Sequence, residues 1–501
     1  MKRMMLNLGR RHRSRACIVI WSLAGCWWLL RIGLHPAFHV VSRPDDLRGA
    51  TMSTLGTRSL GSFNMLHSCR RLRTGLGCDT GSVTEVQAVE ADDTERRRVL
   101  VLNLCKNLIG AGILSLPGGV AAVSAARQAV LPAALLTILV GTSSGYTFSL
   151  VGRGLSLTKR GSLRGAWETA IGKDTAWVVS GATTIKTGFA CLVYAMVLGD
   201  AGSSLAAGFG LPASIAARTP MIWIVSSCLL LPLSFLENLE VLKYTSFLGL
   251  SGILYTVGAM AMRLYEGAYS PGGKYYWATA RAMRPEFNST PGSWFSLQAL
   301  IYMSCLAFAY TAHYNAPKFY KEAKQKLGLY NTVVAGGFAA TVSLCIAMMV
   351  LGFLTFGGAS AGLILNNYAA SDKLFTIARL GISLNILCTF PFIFVSFRDS
   401  LTESLPPEMQ DRATKLKTPI TLSLLFVMTI LAVVFRDLGP VAAVSGAVLG
   451  SAISYIFPCL IFLGATRTKS PSTLLRLERL ATRGLIGFGV FLAILGTLTS
   501  L

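Results

Sequence analysis

The residues most suited to chemistry lie in a short stretch, 103–117, where Gly110, Ala111 and Gly112 interrupt an apolar run that also carries Lys106. Apolar residues continue on both sides, which is the composition of a membrane helix, yet each glycine costs a helix about 1 kcal/mol relative to alanine. Unwound backbone at membrane depth is tolerated only where it faces protein or a ligand-binding cavity. We therefore predict that this helix is broken at the glycines and that the break forms a substrate site.

The composition places this stretch in a polytopic membrane protein. The 501 residues are 52% hydrophobic and 14% charged, and the mean hydropathy is +0.55, which is too apolar for a water-soluble chain of this length. The net charge of +23 would suggest nucleic acid in a soluble protein. Here the basic residues lie before the first span and in short loops, so we expect them to set topology and to contact anionic lipid, with no nucleic-acid partner.

The first 98 residues differ from the rest and form a basic leader. Thirteen lysines and arginines precede position 75, against two acidic residues, Asp45 and Asp46. Residues 16–30 are mostly apolar behind a basic cluster, which is typical of a signal-peptide core or a short anchor rather than a full span of about twenty residues. A targeting segment, a retained anchor or disordered cytoplasmic arm, and an incorrectly assigned start remain open, and we assign 99–501 to the transmembrane domain.

Eleven apolar segments follow, and we predict them to cross the membrane: 99–122, 129–151, 175–199, 219–236, 242–263, 294–316, 329–356, 374–397, 418–436, 439–465 and 484–501. With the amino terminus in the cytoplasm, the cytoplasmic loops carry nineteen lysines and arginines and the opposite loops carry eight. The positive-inside rule favours this orientation. It also places the sequon Asn288-Ser289-Thr290 outside the cytoplasm, so we predict glycosylation at Asn288.

Ten core spans plus one additional span favour an inverted repeat, in which spans one to five and six to ten are related halves of opposite orientation. Both first helices of the halves should then be broken. Span six holds a run of small and polar residues, Ser304 to Thr311, but no glycine. We expect its break to be less pronounced than that of span one.

Five segments resemble the amino acid/auxin permease family, which includes sodium-coupled neutral, proton-coupled and vacuolar amino acid transporters. Residues 107–117 resemble its first-helix signature. The other four, in the family's order, are 232–246 (between helices four and five), 313–322 (the end of helix six), 389–398 (the end of helix eight) and 437–450 (the start of helix ten). The resemblance covers about residues 95–501 and implies an all-α, LeuT-type fold that moves amino acids by alternating access.

An amino acid substrate presents a carboxylate and an ammonium, and a broken helix supplies groups of both signs. The N–H groups and positive dipole end of one half suit the carboxylate, and the free carbonyls of the other half suit an ammonium or cation. We assign backbone recognition to two sets: Ile109, Gly110, Ala111, Gly112 and Ile113 in span one, and Ala307, Phe308 and Ala309 in span six. The alternative for the glycines is close helix packing.

Three residues are candidates for ion coupling. Thr389 precedes Phe390-Pro391, and its hydroxyl, together with a carbonyl freed by the proline, could bind a cation; a helix-eight threonine binds sodium in the sodium-coupled relatives that this chain resembles. Lys106 stands where those relatives usually have asparagine and proton-coupled ones often have lysine. Lys186 is a second intramembrane amine, and such groups are costly to bury. The alternative for Thr389 is that its hydroxyl bonds within its own helix. The alternative for either amine is that it snorkels to the membrane surface or pairs with an acidic residue of a loop.

Tyr194 and Asp200 end span three with the Tyr-x5-Asp spacing that is similar to a pattern of the family. We place Tyr194 either in the pocket or at the membrane interface. For His313 a structural hydrogen bond and pH gating are both open. Arg379 we expect to be structural.

These observations predict a secondary active transporter of amino acids, neutral ones because no acidic side chain is placed in the pocket. The coupling ion is H⁺ or Na⁺, with no cofactor and no metal site beyond a sodium site at Thr389. A non-transporting amino acid sensor is the alternative, whereas a membrane enzyme would need clustered catalytic groups that the sequence lacks. The plasma membrane and vacuolar or other internal membranes, including a plastid, fit equally, and the oligomeric state is open.

Overall fold

The computed structural model describes residues 80–235, 245–288, 297–405, 409–410, 416–468, 470 and 472–500. Within these ranges the chain forms helices and connecting loops and no β-strand. Seven of the helices, and one bent pair of helices, are long and apolar enough to cross a membrane. The expected all-α membrane architecture is therefore confirmed, and the total of eleven spans stays a prediction.

The helices follow one another as α1 (Thr80–Leu108), α2 (Leu116–Ala121), α3 (Val130–Thr158), α4 (Leu163–Ala170), α5 (Ala176–Gly208), α6 (Arg218–Ser234), α7 (Thr245–Glu266), α8 (Ala299–Ala309), α9 (Ala316–Glu322), α10 (Leu327–Phe356), α11 (Lys373–Ser404), α12 (Lys417–Val434), α13 (Leu438–Thr466) and α14 (Thr473–Ser500). Each predicted span coincides with one of these helices or with a broken pair. Most of the predicted leader, residues 1–79, lies outside the described residues, and residues 80–98 belong to α1.

Span one is broken where the glycines predict a break. Helix α1 ends at Leu108, and a 3₁₀ turn, Ala111–Ser115, leads directly into α2. The two halves are bent by 50° at this point. The backbone of Ile109 and Gly110 therefore lies outside both helices, and the second half begins with N–H groups that have no partner within its own helix.

Span six has the matching break, but it lies slightly later than the sequence suggests. Helix α8 continues to Ala309, and Tyr310 to Ala312 separate it from a 3₁₀ turn, His313–Asn315, that leads into α9. Pro317, in the first turn of α9, has no N–H to bond to the His313 carbonyl as a continuous helix would require, and proline is favoured in the first turn of a helix. A proline thus marks the start of the second half of span six, and no glycine lies at the break.

The two broken spans are separated by four others, which correspond to α3, α5, α6 and α7. Both breaks have the same form, a helix end, a few residues outside the helix, a 3₁₀ turn and a second helix. Two broken helices at corresponding positions of two five-helix halves are the arrangement of the LeuT-type inverted repeat. The fold is therefore of this type.

One end of the helix bundle is held together by contacts between the loops predicted to be cytoplasmic. Lys326 Nζ contacts Asp93 Oδ2 at 2.8 Å, which joins the loop after span six to the start of span one. Arg164, after span two, donates to the carbonyl of Glu403, after span eight, at 2.5 Å. Loops assigned to the same side by charge thus lie on the same end of the bundle.

The opposite end is tied by a buried ion pair between α7 and α11. Arg263 Nη2 contacts Asp372 Oδ1 at 2.6 Å, and the Asp372 side chain is fully buried. Tyr269 Oη donates to Asp372 Oδ2 at 3.0 Å. Burial, followed by the Asp372 carboxylate, raises the pKa of Tyr269, so its hydroxyl remains a donor. Asn288 is exposed at this end, and the rest of its sequon lies outside the described residues.

Helices α7 and α11 cross with almost no side chain between them. A Cβ built on Gly252 would lie 2.7 Å from the carbonyl oxygen of Gly381, and one built on Gly381 would lie 2.9 Å from Gly252 Cα. Such a close approach of two backbones is possible only because both residues lack a side chain.

The helices differ in how much of their surface the protein covers. The most apolar window of α13 is 72% buried, whereas those of α12 and α14 are 22% buried. Large apolar side chains such as Phe426 and Leu498 are exposed on these outer helices. We expect these surfaces to face lipid, because contiguous apolar surface of this extent is not left in water.

Candidate functional site

A cavity lies between the two breaks, with about 440 Å³ of empty space that includes the open region at its mouth. It is lined by residues of spans one, three, six and eight: Asn107, Leu108, Gly110, Ala111, Gly112, Lys186, Ala190, Val193, Tyr194, Phe308, Ala309, Thr311, Tyr314 and Ile393. No aspartate or glutamate is among them. The cavity therefore combines free helix ends, apolar walls and a single lysine.

The backbones of the two breaks approach closely across this cavity. A Cβ on Gly112 would lie 2.8 Å from Phe308 Cδ1 and 3.1 Å from Ala309 Cα. Thr311 Oγ1, at the break of span six, donates to the carbonyl of Ala307 and accepts from Ser454 Oγ of α13 at 3.2 Å. Only a glycine fits at position 112 without displacing span six.

Helix α5 supplies the third wall. Lys186, Ala190, Val193 and Tyr194 recur at helical spacing and so present one face to the cavity. The hydroxyl of Tyr194 lies next to the break, 3.1 Å from where a Cβ on Gly110 would be. This places Tyr194 beside the N-terminal end of the second half of span one.

Lys186 is buried, with 3% of its surface exposed. Its ammonium lies 3.8 Å from the centroid of the Phe308 ring and has no hydrogen-bond partner among the described residues. A cation over an aromatic face is attracted by the ring's quadrupole, but this contact supplies no hydrogen-bond acceptor. Three donors of a buried ammonium are thus available to a ligand.

The two broken spans are joined directly by a pair of asparagines. Asn315 Nδ2 donates to Asn107 Oδ1 at 2.9 Å, which connects the last turn of α1 to the 3₁₀ turn of span six. The Nδ2 atom of Asn107 is buried and has no partner within the described part of the chain. Asn107 therefore links the breaks and also presents a donor to the cavity.

A second cavity, of about 230 Å³, lies on the other side of the span-one break. Apart from Asn385 and the backbone at Gly110 and Ala111, its lining is apolar: Ile113, Leu114, Ile253, Met348, Ile382 and Ile386. Thr389, one turn along α11, donates its hydroxyl to the Asn385 carbonyl at 2.7 Å. The threonine hydroxyl is thus bonded within its own helix, and Thr389 lines neither cavity.

Lys106 is buried in the last turn of α1 and lines neither cavity. It is within electrostatic range of Cys388, the residue before Thr389. The amine and the threonine that the sequence proposes for ion coupling therefore lie in the same region, between α1 and α11.

Three further residues have structural partners. His313 Nε2 lies 3.0 Å from both Thr147 Oγ1 and the Ser144 carbonyl. Arg379 donates to the carbonyls of Tyr368 at 2.6 Å and Leu365 at 3.0 Å, as expected of a structural residue. Asp200 pairs with Arg218 Nε at 2.6 Å, at the end of the bundle away from the cytoplasmic loops.

Seven of the residues singled out from sequence line the cavity: Gly110, Ala111, Gly112, Lys186, Tyr194, Phe308 and Ala309. Ile113 lines only the second cavity, and Ile109 and Ala307 are buried and line neither. Sequence reasoning missed the lining residues Asn107, Leu108, Ala190, Val193, Thr311, Tyr314 and Ile393. The helical spacing from Tyr194 back to Lys186 would have identified Ala190.

The sequence is similar to those of known amino acid transporters. Residues 97–501 match the family model described as transmembrane amino acid transporter protein. The chain is 24% identical over 385 residues to vacuolar amino acid transporter 2 of Saccharomyces cerevisiae, covering 74% of this chain and 76% of that one. It is 24% identical over 419 residues to sodium-coupled neutral amino acid transporter 7 of Mus musculus, covering 79% and 84%.

Among solved structures, the crystal structure of MhsT in complex with L-phenylalanine is similar, with a TM-score of 0.44 and 14% sequence identity, covering 80% of this chain and 98% of that one. The family match extends over most of the chain, from the first half of span one to the last helix. The chain thus belongs to the transmembrane amino acid transporter family and is a multi-pass membrane protein that carries out secondary transport of amino acids rather than an enzymatic reaction.

Proposed function

We propose that the protein transports neutral amino acids by alternating access and that the 440 Å³ cavity is the substrate site. The observation that carries this proposal is the meeting of two broken spans at one cavity with no acidic side chain in its lining. A cationic side chain would find no counter-charge there and would meet Lys186. A neutral zwitterion needs only groups that the two breaks supply.

The carboxylate of the substrate would bind the first N–H groups of the segment Ala111–Ala121, where the helix dipole is positive, with the Tyr194 hydroxyl beside it. The ammonium would bind near the carboxyl-terminal end of α8, beside Phe308 and at the carbonyl of Ala309, because the last carbonyls of a helix have no partner within it. Ile109 and Ile113 flank these backbone groups. Gly110 and Gly112 permit the approach because a side chain at either position would fill the space.

We propose H⁺ as the coupling ion, with Lys106 as its first candidate carrier and Lys186 as the second. An ammonium beside Thr389 would repel a bound Na⁺, and Lys106 lies in that region. Na⁺ at Thr389 is the second candidate, because several relatives are named sodium-coupled transporters. Relatives named for the vacuole suggest a vacuolar or other internal membrane, with the plasma membrane as the alternative.

The test is uptake of labelled neutral amino acids into proteoliposomes that hold the full chain, with a proton gradient and a sodium gradient imposed separately. We expect saturable uptake driven by protons, and its loss in Lys106→Ala or in Lys186→Ala. Uptake driven by sodium alone, or full proton-driven uptake in both variants, would contradict proton coupling through these amines. Saturable binding without uptake under any gradient would instead identify a sensor.

A further inference from the structure

Two hydrogen-bond donors in the cavity have no partner. The Lys186 ammonium and the Asn107 Nδ2 atom are both buried, and neither has a hydrogen-bond acceptor among the described residues. A buried donor without an acceptor costs free energy. A cavity that holds two such donors and no acid is suited to a ligand that brings an acceptor oxygen.

These donors belong to residues that are displaced along their helices from the groups proposed for the substrate's carboxylate. Tyr194 marks that end, and the backbone of Lys186 lies eight residues earlier on the same face of α5, which is ~12 Å along the helix axis, with the Phe308 ring between its ammonium and Gly112 of the break. Ala190 lies between them, at one helical turn from each. Asn107 likewise precedes the break in span one, on the α1 side. A substrate held at the break would therefore direct its side chain towards Lys186 and Asn107.

The wall between these two ends is apolar. Ala190 and Val193 of α5 and Ile393 of α11 line it, and the Phe308 ring lies under the ammonium. Such a wall suits methylene groups, and the donors at its end suit a terminal oxygen. An aliphatic side chain of the same length would cover the donors and leave them without an acceptor. A site that hydrogen-bonds its substrate discriminates strongly against an analogue that lacks the bonding group.

We propose that Lys186 and Asn107 form a side-chain subsite that selects amino acids whose side chain ends in a carbonyl oxygen. The oxygen belongs either to the amide of glutamine and asparagine or to the carboxylate of glutamate and aspartate. This inference rests on the proposed function, since it concerns the same cavity, and it names the substrate class that the cavity takes.

The test compares three substrates of similar length, L-glutamine, L-glutamate and L-methionine, by counterflow in proteoliposomes preloaded with the same unlabelled substrate. In the unmodified protein we expect kcat/KM for glutamine or glutamate to exceed that for methionine by at least roughly tenfold, as expected when hydrogen bonds to a charged group are made or lost. The larger of the two values identifies the amide or the carboxylate as the natural acceptor, and a larger value for glutamate would support the subsite but contradict the neutral substrate class proposed above.

Lys186→Met should reduce kcat/KM for the preferred oxygen-bearing substrate ~10–100-fold more than it reduces kcat/KM for methionine, so the ratio of the two values falls whatever the effect on transport as a whole. Lys318→Met is the matched control, because Lys318 also lies over a phenylalanine ring, Phe392 at 5.2 Å, but outside the cavity. Lys186→Gln keeps donors without the charge, so it should preserve glutamine transport better than glutamate transport.

Three outcomes would overturn the inference while leaving the proposed function intact: a wild-type preference for methionine, an unchanged substrate ratio in Lys186→Met, or an equal fall for all three substrates in Lys186→Met and Lys186→Gln. The last result would assign Lys186 to the transport cycle itself. Absence of transport for every amino acid in the unmodified protein would instead contradict the proposed function. A monodisperse size-exclusion profile confirms that each variant is folded before it is assayed.

Discussion

Asn107 and Asn315, 208 positions apart in the sequence, are joined by a hydrogen bond of 2.9 Å that connects the broken half of span one to the broken half of span six. This bond lies at the edge of the cavity and belongs to both halves of the inverted repeat. This pair of side chains thus adds a directional bond to the close contact that Gly112 makes with Phe308 and Ala309 across the two breaks.

We expect Asn315→Leu to lower the affinity for substrate by roughly tenfold, since a buried hydrogen bond is lost and the Asn107 oxygen is left without this partner. Binding of a labelled amino acid to the purified protein measures the effect. The double variant Asn107→Leu/Asn315→Leu completes a mutant cycle. Additive effects of the two substitutions would show that the bond does not couple the spans.

Gly112→Ala should reduce transport by roughly tenfold or more, because overpacking against Phe308 and Ala309 costs ~1–3 kcal/mol. Gly181→Ala in α5 is the control, since nothing lies within 4 Å of a Cβ at that position. Initial uptake rates, normalised to the amount of reconstituted protein, give the comparison. Equal rates for both variants would mean that the close approach at Gly112 is not needed for transport.

Gly110→Ala tests a softer contact at the same break. The nearest atom to the added Cβ is the Tyr194 hydroxyl oxygen, at 3.1 Å, so removal of that oxygen should relieve the contact. We expect uptake to be several-fold lower in Gly110→Ala than in the unmodified protein. The loss should be smaller when the double variant Gly110→Ala/Tyr194→Phe is compared with Tyr194→Phe alone. No recovery would contradict the contact with Tyr194 as the reason for glycine at this position.

The buried pair of Arg263 and Asp372 should contribute to stability rather than to substrate recognition. Arg263→Met leaves a buried carboxylate without its cation and should cost ~3–5 kcal/mol. Thermal unfolding in detergent should show a lower Tm, and Arg263→Met/Asp372→Asn should regain part of it. Arg281→Met, at an exposed position, should leave the Tm unchanged; an equal loss there would rule out the pair as the cause.

Asn288 tests the predicted orientation of the bundle. It is exposed at the end away from the cytoplasmic loops, so expression in a eukaryotic cell should give a glycosylated protein. Both Asn288→Gln and Thr290→Ala should abolish the mobility shift that a glycosidase removes from the unmodified chain. A shift that persists in both variants would place the glycan elsewhere.

The break in span one could be predicted because Gly110 and Gly112 weaken a helix by themselves, whatever surrounds them. The break in span six was harder to place. Its residues are compatible with a helix, and Pro317, eight residues after the end of α8 at Ala309, marks only the start of the second half. A local signal therefore existed, but it lay several residues beyond the segment with small side chains.

The cavity walls could be predicted only in part. Tyr194 and Lys186 stood out as polar residues in an apolar helix, whereas Ala190, Val193 and Ile393 are ordinary residues of membrane spans, and only the packing of α5 and α11 gives them a place in the site. The hydrogen bond between Asn107 and Asn315 could not be predicted, because nothing in the sequence near either residue specifies the other.

The crossing of α7 and α11 at Gly252 and Gly381 affects how the bundle can move. Side chains that interlock fix both the spacing and the angle of two helices, whereas a contact between bare backbones fixes only the spacing. The angle is fixed elsewhere, because the Asn385 side chain of α11 packs against Gly249 of α7 and the Arg263–Asp372 pair joins the same helices at one end. We therefore expect α7 and α11 to move as one unit beside the span-one break when one half of the transporter rocks against the other.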